Sequence, residues 1–518
     1  MAGPAAPGNR GMSLVDVSIA CAAGSPAAAV ATPASLYAAE LYVTGCAVAV
    51  AQAGAPPLAG APPGGWLRVA EWAHGTDTGA SFYSDVIYVN GARAAGARVA
   101  DAAVLPPGAA PPRDLQARHV WARAGFPGAD APGAANARAD CGAVGDDATD
   151  DTAALQACLN AHAAVFLPPG RFRVSETLLL PAGGSLVGMG ASFSFLLAAS
   201  DGGFANASAG APAPLLRTAD DDAGAPVTLA FVGLVTWQHL AHVTTLDWRS
   251  RDAGSLWRTN FESRDCECLW TSGYQQLAPP ALPCRLPVNT SHAKSTFRGL
   301  GRVLSFVNDD TGAILSTGAR YRSLRVADTA GFATAAAGTR FYSLNLEHAQ
   351  SEANGEVVNA SHVTVYSFKG EGNMPLLWVR APAANISVLA LGGGFTPWPA
   401  NWSFPPDFTP APPSVFRVDA AATGVTFALL QDHGEGGGAP YWPPTGGTCQ
   451  WERHYPYPGE AVAEYPFSTF PNVTQWNCWY GYYVSTAYWW MLVTTDGGGG
   501  GVGHTQPGDK PVLWRSGW

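Results

Sequence analysis

Short bursts of alternating apolar and polar residues, broken by Pro and Gly, run through the middle of the chain. VFLPP, RFRVS, TLLLP and SLVGMG follow one another between Val165 and Gly190. A period of two predicts strands that bury one face. Just before them, Ala154, Leu155, Ala157, Cys158 and Leu159 fall on one face of a helix, after the N-cap residues Thr149, Asp150 and Asp151. Further on, five segments align by their apolar doublets: LSFVNDD from Leu304, LRVADTA from Leu324, LNLEHAQ from Leu344, YSFKGEG from Tyr366 and VLALGGG from Val388. The steps are 20, 20, 22 and 22 residues. Strand periodicity within a segment and a repeat of about 21 residues between segments predict stacked parallel coils. Leu304, Leu324, Leu344, Tyr366 and Val388 then form one inward ladder. Phe306, Val326, Leu346, Phe368 and Ala390 form the next.

The stretch from Ala139 to Gly190, with CGAVGDDATDDTAALQACL and then VFLPPGRFRV, resembles the entry segment of the pectate-lyase-like superfamily, in its rhamnogalacturonase/epimerase-like form. Asp146-Asp147 stands where that family usually has Asp-Gly. The resemblance implies an all-β fold, a right-handed parallel β-helix whose N-terminal end is plugged by the amphipathic helix. It does not fix a substrate, because many chemistries share this fold.

The N-terminal part also alternates, in SLVDVSI, SLYAAELYV and FYSDVIYV. Residues 1–104 are therefore expected to be the last coils of a truncated first β-helix, and residues 105–138 a Pro/Gly-rich linker. The main β-helix is expected over residues 139–434. Residues 435–518, rich in Trp and Tyr, are expected to cap its last open coil. Two such modules in tandem resemble the family-55 exo-β-1,3-glucanases.

Composition narrows the partners. A net charge of −10 argues against nucleic acid or an anionic membrane as a bulk-charge partner. No run of about 20 apolar residues suggests a membrane span. Six Asn-x-Ser/Thr triplets, at Asn206, Asn289, Asn359, Asn385, Asn401 and Asn472, and nine cysteines point to an extracellular or cell-wall protein. The start lacks the apolar segment of a signal peptide, so an incomplete N-terminus is expected. Cys21 with Cys46 and Cys141 with Cys158 are near pairs suited to disulfides; Cys266-Glu-Cys268 is too tight for a usual zinc site. No metal or other cofactor is expected, and the protein is expected to be a monomer.

Charged residues are only 13% of the chain, so LEHAQSEANGE, from Leu346 to Glu356, stands out. In the alignment above, Asn308, Asp328 and His348 stack just past the inward doublets, flanked by Asp309, Asp310, Glu347, Lys369 and Glu371. Glu347 faces outward by parity, with Lys369 one coil on in its column and Glu371 on a diagonal. A diagonal suits an inverting carboxylate pair with room for water. The catalytic candidates are Glu347, Glu371, Asp309 and Asp310. The substrate-binding candidates are Asn308, Asp328, His348, Lys369 and Trp378. The opposing reading is a solvated ladder in which Glu347 and Lys369 form a surface ion pair worth about 0–1 kcal/mol.

VNDDTGAILSTG also looks like the paired-aspartate segment of the family-28 polygalacturonases, with Asp309 and Asp310 matching the pair. The Gly-His-Gly that should follow is replaced by Ala330-Gly331-Phe332, and the Arg-x-Lys segment is missing, which puts that activity in doubt. Asp220, Asp221 and Asp222 could serve calcium in a lyase, but read more simply as a solvated loop. The expected function is a glycoside hydrolase acting on a cell-wall or extracellular polysaccharide. A polysaccharide lyase or epimerase, and a non-catalytic glycan-binding protein, are the alternatives.

Overall fold

The computed structural model describes residues 11–76, 84–94, 98–119, 133–199, 202–208, 211–220, 226–237, 240, 242–251, 254–264, 293–309, 322–347, 353–371, 375–392, 414–430, 491–496, 503–504 and 511–517. They are mostly strand, with one α-helix, Thr152–Ala161, and one short 3₁₀ turn, Gly202–Asn206.

From Ala164 onward the strands pair in parallel with the strand one coil later, which builds three long sheets. In the first, one inward position runs through Ala135, Val165, Leu186, Leu229, Leu256, Val303, Phe341, Val365, Val388, Phe427, Trp514 and Tyr88. All twelve are buried. The second sheet stacks Phe172, Leu196 and Leu234 early and Leu344, Phe368 and Leu391 late. The third stacks Leu178, Leu216 and Leu246, and later Leu377 and Phe416. These ladders converge on a single continuous core. Corners between sheets fall at left-handed residues that are themselves in step: Ser305 with Ser343 (φ 55° and 57°), and Asp328 with Asn359 (φ 60° and 47°). Asn and Asp tolerate that conformation better than most side chains.

The coil is not uniform. Along the first sheet, Val303, Phe341, Val365 and Val388 are separated by 38, 24 and 23 residues. The doublet alignment therefore mixed sheets. Leu324 belongs to the third sheet, against Ser295 and Gly355, while Leu344 pairs with Phe306 in the second. Leu304 lies opposite Tyr342 and is only half-buried. Every strand has a period of two, so a doublet does not reveal which sheet it joins.

The helix sits against the first coils, burying Leu155, Cys158 and Leu159. Cys158 is bonded to Cys141. Asp151 is the N-cap by position, but its carboxylate accepts the backbone N–H groups of Val144 and Gly145 at 2.6 and 2.9 Å instead of capping the helix. Asp150 accepts the backbone N–H of Thr152 and the hydroxyl of Ser175. The acidic run thus fastens the entry loop and the second-sheet strand Gly170–Val174 to the helix.

Residues 12–104 differ from the expected parallel coils. Met12–Thr32 and Leu36–Gln52 pair in parallel, but Leu67–His74 and Arg98–Val104 continue the sheet antiparallel. Alternation reports a half-buried strand and is silent on its direction. One face of this sheet has its own core around Leu36, Leu41, Val43, Val50, Val69 and Trp72, stapled by Cys21–Cys46. The other packs Tyr37 and Ala73 against Leu389, Ala428, Leu429 and Leu513 on the outside of the first sheet. Arg515 and Glu71 form an ion pair across this contact at 2.9 Å. The supposed linker adds a bolt: buried His119 has Nδ1 2.6 Å from the Tyr342 hydroxyl and Nε2 3.4 Å from Asp16. Ala134–Asn136, also assigned to the linker, is already a strand of the first sheet.

At the far end, the described C-terminal strands extend two of the sheets. Met491–Asp496 extends the third sheet, and Pro511–Ser516 extends the first in antiparallel register. Ser84–Val89, from the N-terminal part, then pairs with Pro511–Ser516. The aromatic-rich stretch 441–490 lies outside the described residues.

Candidate active site

Asp309, Glu347 and Glu371 occupy one register position on three successive strands of the second sheet. Neighbouring strands are about 4.8 Å apart. Glu371 is therefore the direct neighbour of Glu347, not its diagonal. Lys369 pairs with Asn345 instead of Glu347, and its side chain is exposed. Asn308 lies opposite Leu346, one position before the acidic column. Asp310 and His348 lie outside the described residues.

Asp328 is not part of this column. It ends a strand of the third sheet, exposed, and accepts hydrogen bonds from Arg298 Nη1 at 2.9 Å and Asn359 Nδ2 at 3.1 Å. Trp378 is also on the third sheet, buried. Its indole N–H donates to Asp419 at 2.8 Å, and the guanidinium groups of Arg417 and Arg380 lie 3.8 and 4.4 Å from its ring centre. Packed in this way, the ring is not open to a sugar.

The third sheet carries a polar ladder that the sequence reading missed. Arg217, Asp247, Thr296, Arg325, Glu356, Trp378 and Arg417 are in register along it. Glu356 is fully buried and ion-paired to Arg325 and to Arg380, the latter at 3.2 Å. So the last glutamate of LEHAQSEANGE is a structural anchor. The signal in the sequence was faint: single charged residues between apolar neighbours, as in LLRT, TLDW and LRVA.

Near this ladder, Asp220, Arg249, Arg251, Arg298, Asp328 and Phe332 line a cleft of about 250 Å³. Elsewhere, His362 is held below the ordinary imidazole value by burial and by Arg340. Its Nε2 is 3.5 Å from Asn385 Nδ2. Burial, and then Tyr366, hold the Tyr342 phenol well above its ordinary value. Among the described residues, no group of three or more His, Cys, Asp or Glu could hold a metal ion. No helix among them is long and apolar enough to cross a membrane.

Residues 134–267 match the family model described as rhamnogalacturonase A/epimerase, pectate lyase-like. The chain carries a pectate-lyase-like segment. This is the stretch that holds the entry loop, the helix and the first coils. Solved structures with similarity include the A-module of the Azotobacter vinelandii mannuronan C-5 epimerase, 14% identical over 56% of this chain and 75% of that one, TM-score 0.31. A iota-carrageenase complexed to iota-carrageenan fragments is 10% identical over 55% and 57%, TM-score 0.30. A GH87 α-1,3-glucanase from Streptomyces thermodiastaticus is 13% identical over 63% and 56%, TM-score 0.31. The chain spans less than two thirds of the length of the carrageenase and of the glucanase. No curated protein matches the chain.

Proposed function

We propose that this pectate-lyase-like chain is a right-handed parallel β-helix glycoside hydrolase that cleaves an extracellular polysaccharide. Right-handed crossovers are nearly universal for parallel strands, which supports the handedness. The two disulfides, Cys21–Cys46 and Cys141–Cys158, support an oxidising location.

The observation that carries the reading is the register of Glu347 with Glu371. Hydrolysis of a glycosidic bond needs one carboxyl group to protonate the leaving oxygen and another to act as nucleophile or base. One strand spacing, about 4.8 Å, lies close to the 5–5.5 Å used for a nucleophile and an acid/base on one sugar. Asp309, one strand further on, supplies a third acidic position that favours keeping one of the pair protonated.

The test is release of reducing ends from a polysaccharide panel led by β-1,3-glucan and homogalacturonan, with Glu347→Gln and Glu371→Gln alongside. Release that either substitution abolishes is the expected result. Release that survives both removes this site. Products absorbing as unsaturated sugars would replace hydrolysis with elimination.

A further inference from the structure

The cleft on the third sheet is built around arginine. Asp247, almost buried, takes Nε of Arg249 at 2.7 Å and Nε of Arg298 at 3.3 Å. Asp220 and Asp328 take Nη1 of the same two arginines at 3.2 and 2.9 Å. Arg249 is thus hydrogen-bonded through two of its three nitrogens, while Arg298 is hydrogen-bonded through Nη1 and ion-paired through Nε. The third, Nη2, has no partner among the described residues in either case. The two side chains remain 30% and 37% exposed. A guanidinium is a rigid fork of five N–H donors, so anchoring one edge aims the rest.

Arg251 adds a third cation, stacked 4.8 Å over the ring of Phe332, which also gives the cleft an apolar wall. With Arg217, which pairs with Asp220 at 3.1 Å, three arginines are ion-paired with the aspartates 220, 247 and 328.

We propose that this cleft binds an anionic group, a carboxylate or a sulfate ester, on a sugar residue of the polysaccharide. Fixed donors at Nη2 of Arg249 and Arg298 meet the anion in charge-assisted hydrogen bonds, and Phe332 takes an apolar sugar face. The proposal rests on the polysaccharide reading above, but its site is separate from the carboxylate column.

Binding of the full chain to polygalacturonate, to dextran sulfate and to neutral dextran tests it, with Arg249→Gln, Arg298→Gln and Arg251→Gln beside the wild type. Removing one guanidinium should weaken polyanion binding about tenfold and leave any neutral-glycan binding unchanged. Added salt should weaken it further. The polyanion that binds more tightly identifies carboxylate or sulfate as the group. Arg251 is exposed, so its variant keeps the test valid if loss of Arg249 or Arg298 disturbs folding, which circular dichroism would show. Polyanion binding unchanged in all three variants overturns the assignment. Cleavage of a neutral glucan without polyanion binding also overturns it, and leaves the hydrolase standing. Arginine-dependent polyanion binding without cleavage of any glycan sinks the hydrolase and leaves the cleft.

Discussion

Glu347 and Glu371 stand directly opposite each other on adjacent parallel strands of the second sheet, with Asp309 opposite Glu347 on the other side. This register changes the stereochemical expectation. Adjacent register positions lie one strand spacing, about 4.8 Å, apart along the backbone, which is close to the retaining separation, whereas a diagonal would have suited inversion. Proton NMR of the first product released should therefore show the anomer of the substrate. The inverted anomer would point to a more widely spaced pair, such as Asp309 with Glu371.

Glu356 is buried between Arg325 and Arg380. Glu356→Gln leaves two arginines around a neutral side chain. It should destabilise the fold by about 3–5 kcal/mol, read from the shift of the denaturant midpoint. A change below about 1 kcal/mol would mean that the arginines find other partners.

Asp150 titrates below the ordinary carboxylate value: burial raises it, but hydrogen bonds from Ser175 and Thr152 lower it more. Its folded pKa is thus below its unfolded value of about 3.9. The stability it contributes is present above that unfolded value and is lost as pH falls through the folded one. Asp150→Asn should flatten the acid side of the unfolding profile as pH falls below about 4. Parallel profiles for the two proteins would contradict the prediction.

Cys141 and Cys158 join the entry loop to the helix across 17 residues. Replacing both by serine should cost about 3 kcal/mol, seen as a lower unfolding midpoint, and reducing agent should lower the variant's midpoint by less than the wild type's, since only Cys21–Cys46 remains of the two bonds. If reductant still lowers the midpoint of the serine variant to a similar degree, other thiols carry the effect.

The N-terminal sheet covers Leu389, Leu429 and Leu513, and Ser84–Val89 completes the first sheet. A fragment beginning at residue 133 would expose that apolar surface and an open strand edge. It should aggregate or unfold in size-exclusion chromatography. A well-behaved monomer with cooperative unfolding would show the sheet to be dispensable.

The sequence by itself determined the local structure and the nature of the core. The entry motif, the helix over Thr152–Ala161 and the inward parity of Leu344 and Leu346 were all legible, because helix and strand periodicities are local properties of the chain. The two disulfides followed from near pairs of cysteines. Only the tertiary structure decided which strands are neighbours. Phe306 meets Leu344 across 38 residues, while Leu324 leaves for another sheet, and no periodicity records a loop's length or its return. That choice moved Asp328 away from Glu347, set Glu371 directly beside it, buried Glu356 and gathered the arginines of the cleft. A site made of residues on different coils exists only once the register is set, because strand spacing, not sequence separation, determines which charges meet.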